Sequence, residues 1–264
     1  MSKFIIPNKR EDAIKFFREN LDDVYELKKK TIKVSDSIYT NEPISFDRKT
    51  ILFGVDKSTP NLNEIGEAKA TFVANTYLWL DSHLDVHDIG VFKNSIKEQK
   101  DKLFHLHDHK FELTARVGDV ENVTEEFIDW RELGVDKDGQ TQILKVKSNI
   151  LKRYNYAIFS DYVDKKINQH SVSMRYIKFK FAIDDKENED AYKTYAEYID
   201  RIGNREKAEE LGYFWVVKEA ALREFSCVLL GSNELTPTLS ISDKSNIAVL
   251  SEKEKALKKF LNIK

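Results

Sequence analysis

Three short segments of the chain carry residue types that together offer a nucleophile, a base and an orienting carboxylate. Gln169-His170-Ser171-Val172-Ser173-Met174-Arg175-Tyr176 offers hydroxyls, Leu106-His107-Asp108 an imidazole, and Leu222-Arg223-Glu224-Phe225-Ser226 a carboxylate. A serine hydroxyl is a poor nucleophile at neutral pH, because its proton must leave as the oxygen attacks. A histidine within hydrogen-bond reach takes that proton, and a carboxylate on the other ring nitrogen fixes the tautomer and stabilises the imidazolium. Ser171, His107 and Glu224 are the candidates for these roles. They stand 64 and 53 residues apart, so a fold rather than a local motif must bring them together. Ser173 shares the face of Ser171 in a regular strand and is the competing nucleophile.

The elements that would position these residues are strands. From Tyr176 to Phe181, aromatic and β-branched residues alternate with basic ones, which predicts a strand whose serines face the same side as Ile177, Phe179 and Phe181. Leu103 to His109 alternates Phe104 and Leu106 against His105, His107 and His109, a half-buried strand with its imidazoles on one face. Tyr213–Val217 and Leu222–Leu230 read as two apolar strands joined by Lys218–Ala221 and ending at Gly231-Ser232-Asn233. Cys227 then falls opposite Glu224, as a small buried hydrophobe. A helix over Tyr154–Ile167 delivers the chain into the serine strand.

Further strands are expected at Ala68–Leu80, Phe111–Val120 and Gln142–Val146, with a polar turn at Asp81–Phe92 and a short polar helix at Lys93–Lys102. Val123–Gly139 reads as a short helix with a turn at Lys137-Asp138-Gly139. Before them, Asn8 and Glu11 resemble a capping box, and Ile14, Phe17, Leu21 and Val24 recur at helical spacing up to a solvated Lys28-Lys29-Lys30 end. Residues 31–66 hold strand-like pieces broken by Pro43, Gly54, Pro60 and Gly66. An acidic stretch at Asp184–Asp190 opens a solvated helical insertion near 185–211, and Leu250, Leu257 and Leu261 mark a lysine-rich C-terminal helix. The fold class is α+β: an N-terminal helical extension (1–35), a mainly antiparallel β domain (36–240) and a helical tail (241–264).

At 264 residues, 41% of them hydrophobic, the chain can bury a substantial core. Its 43 Lys and Arg against 45 Asp and Glu leave no net field to favour nucleic acid or an anionic membrane. A single cysteine excludes an internal disulfide framework and suits a reducing cytosol, and no apolar run approaches the roughly 18 residues of a membrane span. The protein is expected to work inside a cell. Its six histidines lie in three clusters, His83 and His87, then His105, His107 and His109, then His170, which raises a zinc hydrolase as one reading. The sharper metal motifs, His-Glu-x-x-His or paired cysteines, do not occur, so no metal or other cofactor is expected.

Taken in order, four segments resemble the tailed-phage prohead (procapsid) maturation proteases, relatives of the herpesvirus assemblins. Asp85-Val86-His87-Asp88-Ile89-Gly90-Val91-Phe92 is similar to that family's Asp-Val-x-x-x-Gly-x-Phe motif, and Leu106-His107-Asp108 to its His-Asp step. Ser171-Val172-Ser173-Met174 is similar to its nucleophile strand, and Leu222-Arg223-Glu224-Phe225-Ser226 with Gly231-Ser232-Asn233 to its Leu-x-Glu-(Val/Phe)-Ser segment and closing Asn. The resemblance spans roughly residues 68–238 and departs from the family at Ser173, where glycine is usual.

The resemblance implies an assemblin-like β-barrel core and a serine endopeptidase, packaged in the immature head in the host cytoplasm, that cleaves the major capsid protein or scaffold protein. A homo-oligomer is compatible with that setting. It also implies Ser171 as nucleophile, His107 as general base and Glu224 as third member. Assemblins use a second histidine in that third place, which makes His105 or His109 the alternative. A catalytically silent scaffolding protein of the same fold is the rival from another class.

Overall fold

The computed structural model describes residues 6–7, 9–33 and 66–243. The strand-like pieces of 34–65, the expected cap at Asn8 and the C-terminal helix lie outside them. In chain order the regular elements are α1 (Arg10–Lys30), β1 (Ile32–Lys33), β2 (Glu67–Thr76), β3 (Asp85–His87), α2 (Lys93–Gln99), β4 (Phe104–His107) and β5 (Arg116–Asp129). There follow β6 (Gln140–Leu151), α3 (Tyr156–Val163), β7 (His170–Ile183), α4 (Glu189–Tyr198), α5 (Arg205–Leu211), β8 (Tyr213–Cys227) and β9 (Thr238–Asp243). All nine strands belong to one sheet in the order β1-β7-β8-β4-β5-β6-β2-β9, with β3 also paired to β8.

Neighbours are antiparallel except β3 and β4, which both run parallel to β8. The molecule is therefore mixed α and β around a mainly antiparallel sheet, but that sheet does not close into the expected barrel. Among the described residues, β1 at one end pairs only with β7, and β9 at the other only with β2.

Helices cover both faces, so strands near the middle are buried on two sides and lose the simple alternation of a half-buried sheet. Aromatic contacts dock α1 onto the sheet, with Phe17 4.6 Å from Phe181 and 4.7 Å from Tyr213, and Tyr25 stacked 4.6 Å from Phe179. α3 buries Phe159 and Tyr162. In β4 the alternation fails at its start: Phe104 is 47% exposed and His105 fully buried, while Leu106 stays buried.

Three further expectations change for physical reasons. β8 is one strand rather than two, because Glu219, Ala220 and Ala221 continue to pair with β7 through bulged register. A bulge that leaves Ile177 unpaired between Tyr176 and Lys178 breaks the parity of β7, so Ile177 stands 50% exposed while Phe179 is buried. Val123–Asp129 extends β5, and only Trp130–Leu133 turns helical, as a 3-10 segment.

The expected polar turn at Asp81–Phe92 contains β3, buried throughout. The acidic insertion also packs: Arg18 forks onto Asp185 at 2.7 and 2.8 Å, and Tyr195, Tyr198 and Ala208 are buried. Lys28, expected among solvated lysines, is buried at the end of α1.

Candidate active site

β8 lies between β7 and β4, and the register of these strands decides which side chains can meet. Ser171 pairs with Ser226 and Ser173 with Glu224 across β7 and β8, so both serines share a face with the carboxylate. On the other flank, His107 pairs with Cys227 and His105 with Phe225. Both histidines therefore belong to the opposite face from Glu224. The structure does not bring His107 to Ser171 or to Glu224; its Nδ1 lies 3.1 Å from the carboxylate of Asp108.

The imidazole that reaches Glu224 is His109. Beyond β4 the chain makes a tight turn in which Asp108 and His109 both take left-handed backbone angles, φ 50° and 55°. This turn breaks the period of two that set His105, His107 and His109 on one face, and it carries His109 across the end of the strand onto the face of the serines. There His109 Nδ1 lies 2.6 Å from Glu224 Oε1, and the other carboxylate oxygen accepts the Ser226 hydroxyl at 2.6 Å.

The tautomer follows from this geometry. A carboxylate can only accept, so the proton of the neutral ring sits on Nδ1 and Nε2 presents its lone pair. His109 Nε2 is buried and has no hydrogen-bond partner, and the same holds for Ser173 Oγ. Ser171 retains 3% exposure, whereas Ser173 is fully enclosed. The arrangement thus provides an oriented base with a free nitrogen, a fixed carboxylate and two hydroxyls on neighbouring β-strand positions.

The opposite face carries a second polar chain, and it accounts for His105 and His170. The Thr236 carbonyl accepts from His170 Nδ1 at 3.0 Å, so His170 Nε2 accepts the Tyr162 hydroxyl at 3.0 Å. The Tyr162 oxygen accepts from His105 Nε2 at 3.1 Å, which leaves His105 Nδ1 to accept from Ser148 Oγ at 2.9 Å. With the Ser148 proton on His105 Nδ1 rather than on the Asp119 carbonyl 3.2 Å away, this chain has both rings neutral. Burial supplies that condition, pushing His170 down to about 4 and His105 well below the ordinary histidine value. His105 is therefore structural and not a partner of Glu224. Cys227 lies on this same face, where burial pushes its thiol up to about 12, so it carries no thiolate at neutral pH.

Asp81, Asp85 and His87 bring potential metal-ligating atoms within 4.8 Å of one another. Two ammonium groups already neutralise the carboxylates: Lys28 Nζ lies 2.5 Å from Asp85 Oδ1, and Lys33 pairs with both Asp81 and Asp85. The Tyr176 hydroxyl donates to Asp85 Oδ2 at 2.6 Å. Burial alone would raise the Asp85 carboxyl, but the Lys28 and Lys33 ammoniums outweigh it and hold the group well below the usual carboxylate range.

Asn75 Nδ2 donates to His87 Nδ1 at 3.0 Å, which puts the ring proton on Nε2 and leaves neither nitrogen with a free lone pair. The orientation of Asn75 is fixed in turn by Asn233 Nδ2, which donates to its oxygen at 3.1 Å. A metal ion at these carboxylates would have to displace both lysines. The segment resembling the protease motif at Asp85–Phe92 thus forms a buried ion network joined to α1 and β1.

The sequence placed Ser171 and Glu224 on strands that turn out to be neighbours, but the imidazole chosen with them, His107, lies on the opposite face of the sheet. The available signal was His109 itself, third in an alternating run and followed by Lys110 where the strand pattern stops. The buried ion network was missed because lysines near a helix end usually reach water. No protein-family model, curated protein or solved structure matches this chain.

Proposed function

We propose that the protein is a serine endopeptidase in which Ser171 attacks the peptide carbonyl, His109 takes its proton and Glu224 orients and stabilises the imidazolium. The observation that carries this reading is the His109–Glu224 bond, 2.6 Å long and buried, with the opposite ring nitrogen left unpartnered. His105 and His170 satisfy both ring nitrogens, and the unpartnered Nε2 of His87 carries its proton, whereas the unpartnered Nε2 of His109 presents a lone pair.

The proton path runs from the Ser171 hydroxyl to His109 Nε2 and then to the leaving amine, while Glu224 holds the ring at Nδ1. Ser171 takes the nucleophile role over Ser173 because, though both are buried, it keeps 3% exposure and Ser173 none. The ends of the parallel strands β4 and β8 lead to exposed Phe111, Leu113, Leu229 and Leu230, apolar surface of the kind that an unfolded peptide segment can cover. The resemblance to prohead proteases supplies the setting, an assemblin-related enzyme trimming capsid or scaffold protein within the immature phage head.

The alternative of a silent scaffolding protein draws on one observation: no hydrogen bond joins either serine to His109, although such bonds are often loose before substrate binds. Treating the intact protein with a fluorophosphonate and mapping the adduct separates the readings. Modification of Ser171, abolished in Ser171→Ala, is the expected outcome. An adduct on Ser173 reassigns the nucleophile, and no adduct at all, with capsid protein uncleaved, supports the silent reading. Full cleavage of capsid protein by Ser171→Ala refutes the mechanism.

A further inference from the structure

We infer that Ser226 is a positioning residue of this site, its hydroxyl holding both the Glu224 carboxylate and the turn that carries His109. The inference rests on the reading of Ser171, His109 and Glu224 as one proton-transfer chain. Ser226 Oγ donates to Glu224 Oε2 at 2.6 Å and accepts from the His109 backbone N–H at 3.0 Å. A hydroxyl has one proton and two lone pairs, so the two bonds are mutually compatible. With Oε1 bonded to the His109 ring, the carboxylate is held at both oxygens and cannot rotate away from the imidazole.

The second bond acts on the backbone. Asp108 and His109 are consecutive non-glycine residues with positive φ, a conformation that persists only where the surroundings enforce it. β8 provides that enforcement through two adjacent anchors. The Cys227 carbonyl accepts from the Asp108 N–H at 3.1 Å, and Ser226 Oγ accepts from the His109 N–H. Ser226 is therefore tied to both ends of the His109–Glu224 pair, at the ring's partner and at the ring's own backbone. Its proton is directed at Glu224 and its side chain is fully buried, so it orients the site and is not the attacking group.

The test uses the full chain, with Ser226→Ala, Ser226→Cys and Ser226→Thr compared with the parent. The rate of fluorophosphonate modification at Ser171 is measured across pH, alongside thermal unfolding by circular dichroism. In Ser226→Ala the rate is expected to fall about 10- to 100-fold, the scale of a small misplacement of a catalytic group, and the midpoint of its pH profile to move. Ser226→Cys keeps the shape with a weaker donor and falls between alanine and parent, while Ser226→Thr restores the hydroxyl and most of the rate.

A parent-like rate and midpoint in both Ser226→Ala and Ser226→Cys overturns the inference while leaving the hydrolase reading intact. A lowered melting temperature with an unmoved pH midpoint also overturns it, since that is the signature of packing alone. Absence of any adduct in the parent, on Ser171 or on Ser173, overturns the hydrolase reading itself, and the role of Ser226 with it.

Discussion

Replacing His109 and His107 in turn by asparagine separates the geometry of the structure from the motif in the sequence. Asparagine is the informative choice because its side-chain amide nitrogen lies close to the place of histidine Nδ1. In His109→Asn that amide can still donate to Glu224 Oε1, now 2.6 Å from Nδ1, so the buried carboxylate keeps its donor while the Nε2 base disappears. Leaving a buried charge uncompensated costs about 3–5 kcal/mol, and this substitution avoids that loss. Thermal stability should fall by about 1 kcal/mol, a few degrees in a domain of this size.

The chemical step should suffer far more in that variant. Removing a general base lowers the rate about 10²- to 10⁴-fold, equivalent to roughly 3–5 kcal/mol in the barrier. His107→Asn changes a partly exposed ring whose bond is to the adjacent Asp108, and it should alter stability by no more than about 0.5 kcal/mol. Its modification rate should stay close to that of the parent. The assay is the rate of Ser171 modification by a fluorophosphonate, with unfolding followed on the same preparations. Retained reactivity in His109→Asn together with its loss in His107→Asn would refute the assignment of His109 and return the base to the residue named by the motif.

Further outcomes follow from the buried groups. Asp85→Asn removes the charge that faces Lys28 and Lys33 and should destabilise the chain by about 3–5 kcal/mol in urea unfolding; adding Lys28→Met should recover part of that loss, and additive effects would show that the pair is not coupled. Burial holds His170 near 4 in the folded chain, against an ordinary value of 6.5, so the unfolded chain binds the proton first on acidification. The contribution of this residue to stability is complete above pH 6.5 and is lost as the pH falls toward 4. The loss is about 3 kcal/mol at 1.36 kcal/mol per tenfold change in proton affinity, and unfolding free energies that stay flat across this window would contradict it. A methyl group at Gly118 would come within 2.5 Å of the Asn149 carbonyl oxygen and 2.8 Å of Ser148 Oγ, so Gly118→Ala should cost about 1–3 kcal/mol, measurable by thermal unfolding.

Much of the element content was legible because local chemistry dictates it. The apolar spacing through Phe17 and Val24 specifies α1, whose buried face includes both residues, and the aromatic and β-branched run after Ser171 specifies β7. Ser171 and Glu224 each stood in a recognisable strand, which placed them on rigid elements before any contact was known. The sequence could not say that β4 and β8 run parallel, that bulges reset the parity of β7, or that two left-handed residues turn His109 across the sheet. Those features depend on strand register and on the path of a turn, neither of which a period of two reports.

The buried lysines follow the same logic. Lys28 and Lys33 lie inside only because Asp81 and Asp85, some 50 residues away, compensate them there. Local periodicity decided which residues could do chemistry, and long-range pairing decided which of the three clustered imidazoles meets the carboxylate, because side chains on opposite faces of one sheet cannot touch however close they stand in the chain.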